Sequence, residues 1–203
     1  MAAKSNLTNM VLVLGLVCLL CSGILGGAYA LTKAPIEAAA AEKTQKAVAQ
    51  VLPAFETVSG RLERTLDGKT YAYYEATASD AAPAGYAIES TVVGFGGNLT
   101  LIVGVTPDRV VCNTSVLSHS ETPGLGAKCA TDPKFTAQWK GLDPSVKKLS
   151  VKNDGGDIDA ITASTITSRA YTLAVENALA VFDALQAEKQ AADPNLNNEG
   201  SDE

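Results

Sequence analysis

The chain has 203 residues, with 16 Lys and Arg against 22 Asp and Glu, giving a formal net charge of −6. It has no basic cluster and only 5% aromatic residues, which excludes the charged surface and stacking platforms of a nucleic-acid-binding protein. With one His in the whole chain, a metal site built on histidine ligands is also disfavoured, because such sites normally use two or more.

An apolar run without charges comes first, from Met10 to Leu31. Its length of about 22 residues is enough to cross a hydrocarbon core about 30 Å thick. We therefore predict an N-terminal transmembrane anchor over residues 1–33. A cleaved signal peptide is the alternative, because AYA at 28–30 resembles a cleavage site, although its apolar core would be shorter.

A helical stalk over residues 34–53 is predicted next. Ile36 to Leu52 is rich in strong helix formers, and Pro53 ends the pattern. Strands follow, because Val, Ile, Thr and aromatic residues dominate and the turns GFGGN and TPDR separate the runs. The predicted strands are 71–78, 85–94, 99–106 and 109–118.

Two helices and a further strand are predicted in the rest of the chain. The helices are 133–142 and 164–189, and the strand is 146–152. The second helix has one apolar stripe, formed by Tyr171, Val175, Ala178, Leu179, Phe182 and Leu185. Residues 191–203 hold four acids and no Lys or Arg, which predicts a disordered acidic tail. Residues 54–190 are thus predicted to form an α+β domain with an antiparallel sheet and packed helices.

Four cysteines occur in the sequence. Cys18 and Cys21 lie in the apolar run, where they are expected to behave as small hydrophobic residues. Cys112 and Cys129 lie in the predicted domain, and the sequence is equally compatible with a disulfide between them and with two buried thiols.

A loop with the sequence SHSETPGLGAK follows the last strand of the predicted meander. Its Pro-Gly turn would let backbone N–H groups approach a ligand closely, although an ordinary tight turn is the alternative. The candidate binding residues of this loop are His119, Glu121, Thr122, Gly124, Leu125 and Gly126.

A second candidate segment, DAITASTITS, spans residues 159–168 at the predicted start of the long helix. Its hydroxyl residues are Thr162, Ser164, Thr165 and Thr167. One N-cap explains a single hydroxyl. Several hydroxyls beside the free N–H groups of a helix N-terminus favour a phosphate site. A cap with incidental neighbours is the alternative, and nothing in the spacing supports a hydrolase built from Ser164, His119 and Asp159.

These segments resemble a known family. DAITASTITS resembles the motif Asp-x-x-(Ser/Thr)-Gly-Ala-Thr of proteins that carry FMN on a threonine through a phosphoester, and HSETPGLG resembles their companion loop. GFGGNLTLIVGV is similar to the strand turn that precedes that loop. One membrane helix followed by this domain resembles the G subunit of the Rnf ion-translocating electron-transport complex. The resemblance extends from the anchor to about Lys189.

On this resemblance the FMN acceptor is Thr165, and Asp159 and Thr162 match the acid and the first hydroxyl of the motif. Asp159 would assist the attachment. The family's Gly-Ala is replaced by Ala163 and Ser164, which removes the freedom of glycine at positive φ and adds a hydroxyl beside the acceptor. Ser164 and Thr167 therefore remain competing acceptors. Leu125 and Thr122 would contact the flavin ring.

The resemblance also implies a function and a location. It implies an electron-carrier subunit that works with other membrane and redox subunits, transfers electrons between ferredoxin and NAD, and is matured by a flavin transferase. The domain would face the outer side of the bacterial cytoplasmic membrane. Lysine placement alone predicts the opposite, with Lys33, Lys43 and Lys46 beyond the anchor against Lys4 before it.

Three alternatives remain open from the sequence. The nearest is the C subunit of the sodium-pumping NADH:quinone reductase, a close relative of the Rnf protein. The second is a membrane-tethered flavin-binding regulatory domain outside any pump. The third is an anchored structural domain without a cofactor.

Overall fold

The computed structural model describes residues 7–79 and 82–192, and the chain divides into two compact units, Met1–Thr44 and Gln45–Glu203. Helix α1 (Leu7–Val51) contains all the described residues of the first unit. Its apolar stretch has a mean hydropathy of 2.5, and its side chains are exposed from residue 7 to residue 43. The helix is therefore long and apolar enough to cross a membrane. The runs predicted as an anchor and a stalk belong to one helix, which continues through Pro35.

In the second unit, the last turns of α1 pack on the sheet. Ala47, Val48 and Val51 are buried in a small core, together with residues of three strands. Gly104 on the sheet allows this contact, because a Cβ at that position would collide with the carbonyl oxygen of Val51.

Within residues 45–79 and 82–192, six strands form a single antiparallel sheet: β1 (Thr57–Val58), β2 (Leu62–Leu66), β3 (Lys69–Thr77), β4 (Pro83–Val93), β5 (Asn98–Val105) and β6 (Val111–His119). Their spatial order is β1-β3-β4-β5-β6, and β2 also pairs with β3. The last four correspond to the predicted strands. The first two are short and largely exposed, so they lack the alternating burial that makes a strand visible in a sequence.

Helix α3 (Thr165–Ala192) covers one face of the sheet, and every member of its predicted apolar stripe is buried. The main core lies between this face and α3, and it includes a stacked pair, Trp139 and Tyr171, with ring centroids 5.0 Å apart. The prediction of an antiparallel sheet with packed helices is thus confirmed. Residues 191 and 192 are the last of α3, while 193–203, where the disordered tail was predicted, lie outside the described residues.

The segment between β6 and α3 differs from the prediction. It contains a 3₁₀ helix (Gly126–Ala130), the short helix α2 (Pro133–Ala137) and a 3₁₀ turn (Lys152–Asp154). Helix α2 is shorter than the predicted 133–142, because after Ala137 the N–H groups of Trp139 and Lys140 donate to carbonyls three residues earlier instead of four. The backbone then turns at Gly141, where φ is 68°. Cys112 and Cys129 are free thiols, half-buried and buried respectively.

The strand predicted over residues 146–152 is wrong. The side chain of Asp143 accepts a hydrogen bond from the backbone N–H of Ser145, and its carbonyl accepts from Val146 and Lys147. The N–H of Lys148 donates to the side chain of Asp157 at 2.8 Å. These local bonds use the groups that a ladder would need, because short acidic side chains compete with regular structure for backbone donors. Among the described residues 146–152, the only strand-like pairing is an isolated bridge from Val151 to Ile158.

Candidate functional site

A pocket of about 350 Å³ lies where three segments of the second unit meet. The segments are the turn between β4 and β5, the loop after β6, and the first turn of α3. The lining residues are Phe95, Glu121, Thr122, Leu125, Gly126, Ala163, Ser164, Thr165, Ile166 and Thr167. The two segments selected from the sequence are thus brought together at one site.

The start of α3 is held by a closed set of local hydrogen bonds. The hydroxyl of Ser168 accepts from the N–H of Ile161 at 2.9 Å and donates to the carbonyl of Ser164 at 3.0 Å. The N–H of Ser164 donates to the carbonyl of Ile161 at 2.9 Å. Between them, Ala163 has a φ of 62°, a left-handed conformation that residues other than glycine rarely adopt. The turn that positions Thr165 therefore includes a strained residue.

The hydroxyls gathered at this helix start differ in access. Ser164, Thr165 and Thr167 all line the pocket, but Ser164 is 8% exposed and Thr167 is 1% exposed, whereas Thr165 is only half-buried. Thr162 is exposed and is not part of the lining. The first N–H groups of a helix have no acceptor within it, and they carry the positive end of the helix dipole. Thr165 is thus the hydroxyl that combines access to the pocket with a position suited to an anion.

The carboxylate of Glu121 connects the three segments. One oxygen accepts from the backbone N–H of Phe95 at 2.8 Å and, at 3.4 Å, from that of Gly96. The other oxygen accepts from the hydroxyl of Thr167 at 2.8 Å. Glu121 is only 5% exposed. Because both oxygens act as acceptors, the arrangement suits the ionised side chain.

Two glycines close the space around this carboxylate. A Cβ at Gly94 would collide with one carboxylate oxygen of Glu121, and a Cβ at Gly126 would collide with the other. The same Cβ at Gly126 would lie 2.8 Å from the hydroxyl oxygen of Thr167. The glycines of both loops therefore serve the packing of a buried acid, because no larger residue fits beside it.

The charge of Glu121 also acts on a neighbouring thiol. Burial, and after it the negative charge of Glu121, raise the pKa of Cys129 to about 11. Cys129 is fully buried. The thiol therefore remains protonated at neutral pH and is a poor nucleophile.

The pocket has a polar end and an apolar wall. The polar end is the first turn of α3, and the wall contains Phe95, Leu125 and Ile166, which are 68%, 44% and 51% exposed. Exposed apolar side chains of this size around a cavity favour contact with a flat apolar group. The site can therefore take a ligand that is anionic at one end and planar and apolar at the other.

Four predicted residues do not line the pocket: His119, Gly124, Asp159 and Thr162. Asp159 forms an ion pair with Lys152 at 2.7 Å, and its backbone exchanges two hydrogen bonds with the side chain of Gln138. The exposed His119 accepts a hydrogen bond from the N–H of Glu121 at its Nδ1 atom, at 3.3 Å.

Two lining residues, Phe95 and Ile166, were not identified from the sequence. The aromatic residue within the glycine-rich GFGGN turn was the available signal for Phe95, since such a turn rarely needs one. Ile166 gave no signal, because its exposure beside the pocket is a property of the folded chain alone.

Known proteins resemble this chain in the region that contains the pocket. The family model "FMN-binding domain" matches residues 94–180, which include all three segments of the pocket. The G subunit of the ion-translocating oxidoreductase complex of Methanosarcina acetivorans is 30% identical over 183 residues, covering 88% of this chain and 96% of that protein. The G subunit of the proton-translocating ferredoxin:NAD(+) oxidoreductase complex of Clostridium ljungdahlii is 41% identical over 97 residues, covering 46% of this chain and 51% of that protein. Among solved structures, Shewanella oneidensis NqrC is 22% identical, with a TM-score of 0.44 and coverage of 56% of this chain and 61% of that one.

Proposed function

The chain belongs to the family of G subunits of ion-translocating oxidoreductase complexes, and from that membership we propose that it is an electron-carrier subunit of a ferredoxin:NAD⁺ oxidoreductase complex in a membrane. The match to the family model for FMN-binding domains supports FMN as the ligand. The observation that carries the proposal is the helix N-terminus with Thr165 at the polar end of a pocket that lies within that domain.

The residues of the pocket fit FMN. The first turn of α3 offers N–H groups and hydroxyls to a phosphate, and Phe95, Leu125 and Ile166 offer apolar surface to a flat ring. Thr122 lines the pocket beside them and can hydrogen-bond to polar ring atoms. FMN supplies the capacity to take up and release electrons, while the chain supplies binding, orientation and electrostatics.

We further propose that FMN is attached covalently to Thr165. In this step the hydroxyl oxygen of Thr165 forms a bond to the phosphorus of the FMN half of FAD, the bond from that phosphorus to AMP breaks, and AMP leaves. A flavin transferase catalyses the exchange and takes the hydroxyl proton. The low exposure of Ser164 and Thr167 supports Thr165 over its two competitors, since an acceptor must be reached by another protein.

Asp159 is proposed to act in recognition by the transferase rather than in holding the flavin. Its side chain is 69% exposed, forms an ion pair with Lys152 and is not part of the pocket lining. An exposed acid near the attachment segment is accessible to a second protein, whereas a buried ligand contact would not be.

The proposed setting is a single-pass membrane protein with the flavin domain on the outer face. Helix α1 provides the span, and other membrane and redox subunits of the complex are the partners. A covalent link suits that compartment, because a free nucleotide lost from the site would be diluted in a large external volume.

The test is the intact mass of the chain under denaturing conditions after co-expression with a flavin transferase. We expect the mass of one FMN less one water, absent in Thr165→Ala and retained in Thr165→Ser, which keeps a hydroxyl. Ser164→Ala is the matched control, because it removes the neighbouring hydroxyl and should leave the mass increase unchanged.

Other outcomes would contradict the proposal. An unmodified mass in the co-expressed wild-type chain would exclude covalent attachment. A modified mass in Thr165→Ala, lost instead in Ser164→Ala, would move the acceptor by one residue and show that the left-handed turn at Ala163 presents a different hydroxyl.

A further inference from the structure

We propose that Glu121 is a positioning residue that keeps a buried negative charge beside the pocket and thereby lowers the affinity of bound FMN for electrons. The inference rests on the proposed function, since it needs flavin in the pocket. It assigns Glu121 an electrostatic role in addition to its contacts with the chain.

The charge is held in a fixed position by several donors. Glu121 lines the pocket and is 5% exposed, while Phe95 N–H, Gly96 N–H and the Thr167 hydroxyl all donate to its carboxylate. The carboxylate also lies against Gly94 and Gly126, closer to each than a Cβ would allow. A side chain held in this way keeps its charge at one place, which is the condition for a preorganised electrostatic effect.

The charge has no cationic partner among residues 7–79 and 82–192. The ion pairs formed there by Lys and Arg involve other acids, and none includes Glu121. Neutral donors stabilise a carboxylate without cancelling its net charge. A purely structural clamp would not need an ion, because removing a charge from water is unfavourable and a neutral amide could make similar hydrogen bonds.

The sign of the effect follows from Coulomb's law. Reduction adds electrons to the flavin, so a negative charge at the pocket wall opposes it, and the opposition is stronger in a partly buried site than in water. The raised pKa of Cys129, to which this charge contributes after burial, shows the same opposition to a second negative charge nearby. Glu121 thus favours release of electrons from the flavin over their retention.

The test compares midpoint potentials of FMN-loaded full-length chains in detergent, by spectroelectrochemical titration. Glu121→Gln removes the charge and can keep the contacts, because an amide oxygen accepts from Phe95 and a threonine hydroxyl can accept from the amide nitrogen. We expect about a tenfold shift towards reduced flavin at a fixed potential, which is about 30 mV for a two-electron couple. Glu89→Gln, on the same sheet but not in the pocket lining, is the control and should not shift the potential.

A second variant moves the potential in the opposite direction. Thr167→Val keeps the charge of Glu121 but removes one donor that disperses it, so we expect flavin that is harder to reduce than in the wild-type chain. This variant also decides the question if Glu121→Gln cannot be loaded. A merely structural role would not give shifts of opposite sign.

The outcomes separate this inference from the proposed function. If the wild-type chain carries no FMN, the proposed function fails and this inference fails with it. If Glu121→Gln shows the full FMN mass and the wild-type potential, the flavin role stands and the electrostatic role of Glu121 is overturned. The same holds if loaded Thr167→Val is as easily reduced as the wild-type chain.

Discussion

The hydroxyl of Thr167 donates a 2.8 Å hydrogen bond to the carboxylate of Glu121, which stands 46 positions earlier in the chain. The bond joins the loop after β6 to the first turn of α3. The second carboxylate oxygen holds the turn between β4 and β5 through the N–H of Phe95. A single buried side chain therefore fixes the relative positions of all three segments around the pocket.

We expect Thr167→Val to destabilise the chain by about 2 kcal/mol, because it removes a donor from a buried carboxylate while nearly preserving the side-chain volume. Chemical unfolding of the full-length chain in detergent, followed by the fluorescence of Trp139, measures the change. Trp139 is the only tryptophan and lies in the core that α3 covers, so it reports unfolding of the second unit.

The matched control for that variant is Thr172→Val on the same helix. Thr172 is also buried, but its hydroxyl donates to the carbonyl of Ser168, one turn earlier, so the loss leaves no charged group without a donor. An equal loss of stability in the two variants would show that the bond to Glu121 contributes no more than a hydroxyl bond within the helix.

Ala163 makes a separate prediction, because its φ of 62° is unfavourable for a residue with a Cβ. We expect Ala163→Gly to raise the free energy of unfolding by about 0.5–1 kcal/mol, the relief of strain exceeding the added freedom of the unfolded chain. Thermal unfolding of the chain without flavin measures it.

Ala160→Gly provides the comparison, because Ala160 is three residues away and does not have a positive φ. There the substitution only increases the freedom of the unfolded chain, so stability should fall by a few tenths of a kcal/mol or more. If both variants lose stability, the turn before Thr165 does not hold Ala163 in the left-handed conformation.

The parts of the fold that the sequence predicts are those governed by local periodicity. The stripe of α3 repeats at helical spacing, and the strands from β3 to β6 are rich in β-branched residues and separated by turns. The strand predicted at 146–152 failed because its first backbone donors bond locally: Val146 and Lys147 donate to the backbone carbonyl of Asp143, and Lys148 donates to the side chain of Asp157. Local competition of this kind depends on which donors happen to lie within reach.

The candidate site was visible in the sequence only segment by segment. Hydroxyls and a helix start predict an anion site at 159–168, but the bond between Glu121 and Thr167 is a long-range contact that no local pattern contains. Gly126 was interpreted as a point of close ligand approach; it lines the pocket, and its backbone also packs against Glu121, which the sequence did not indicate. A sequence shows that a glycine allows close approach, but it does not show which group approaches.

From the raised pKa of Cys129 we expect the chain to lose stability at alkaline pH. Its pKa is raised to about 11, first by burial and then by Glu121, from the usual value of 9.0. Between these two pH values the unfolded chain releases the thiol proton and the folded chain keeps it, so stability is present below pH 9 and falls as pH rises. The fall should reach about 2 kcal/mol by pH 11.

The measurement for Cys129 is the difference in unfolding free energy between the wild-type chain and Cys129→Ala from pH 8 to pH 11. The values of the two chains are subtracted because Tyr74 also titrates in the alkaline range in both chains, its pKa being raised to about 12 mainly by burial. The difference should shrink as pH rises. A constant difference would mean that the thiol titrates alike in the folded and unfolded chains.

Gly126→Ala tests how closely the pocket is built around Glu121. The added Cβ would collide with the carboxylate and would lie 2.8 Å from the hydroxyl oxygen of Thr167, so the bond between these two side chains must break or the loop must shift. We expect a loss of about 1–3 kcal/mol from this overpacking, together with reduced FMN incorporation measured by intact mass. Gly60→Ala is the control, because its Cβ would meet no atom within 4 Å and its φ is not positive. That variant should keep full incorporation.

Normal incorporation and stability in Gly126→Ala would mean that the loop after β6 adapts freely, and that the close fit of Gly126 to Glu121 is not needed to shape the pocket.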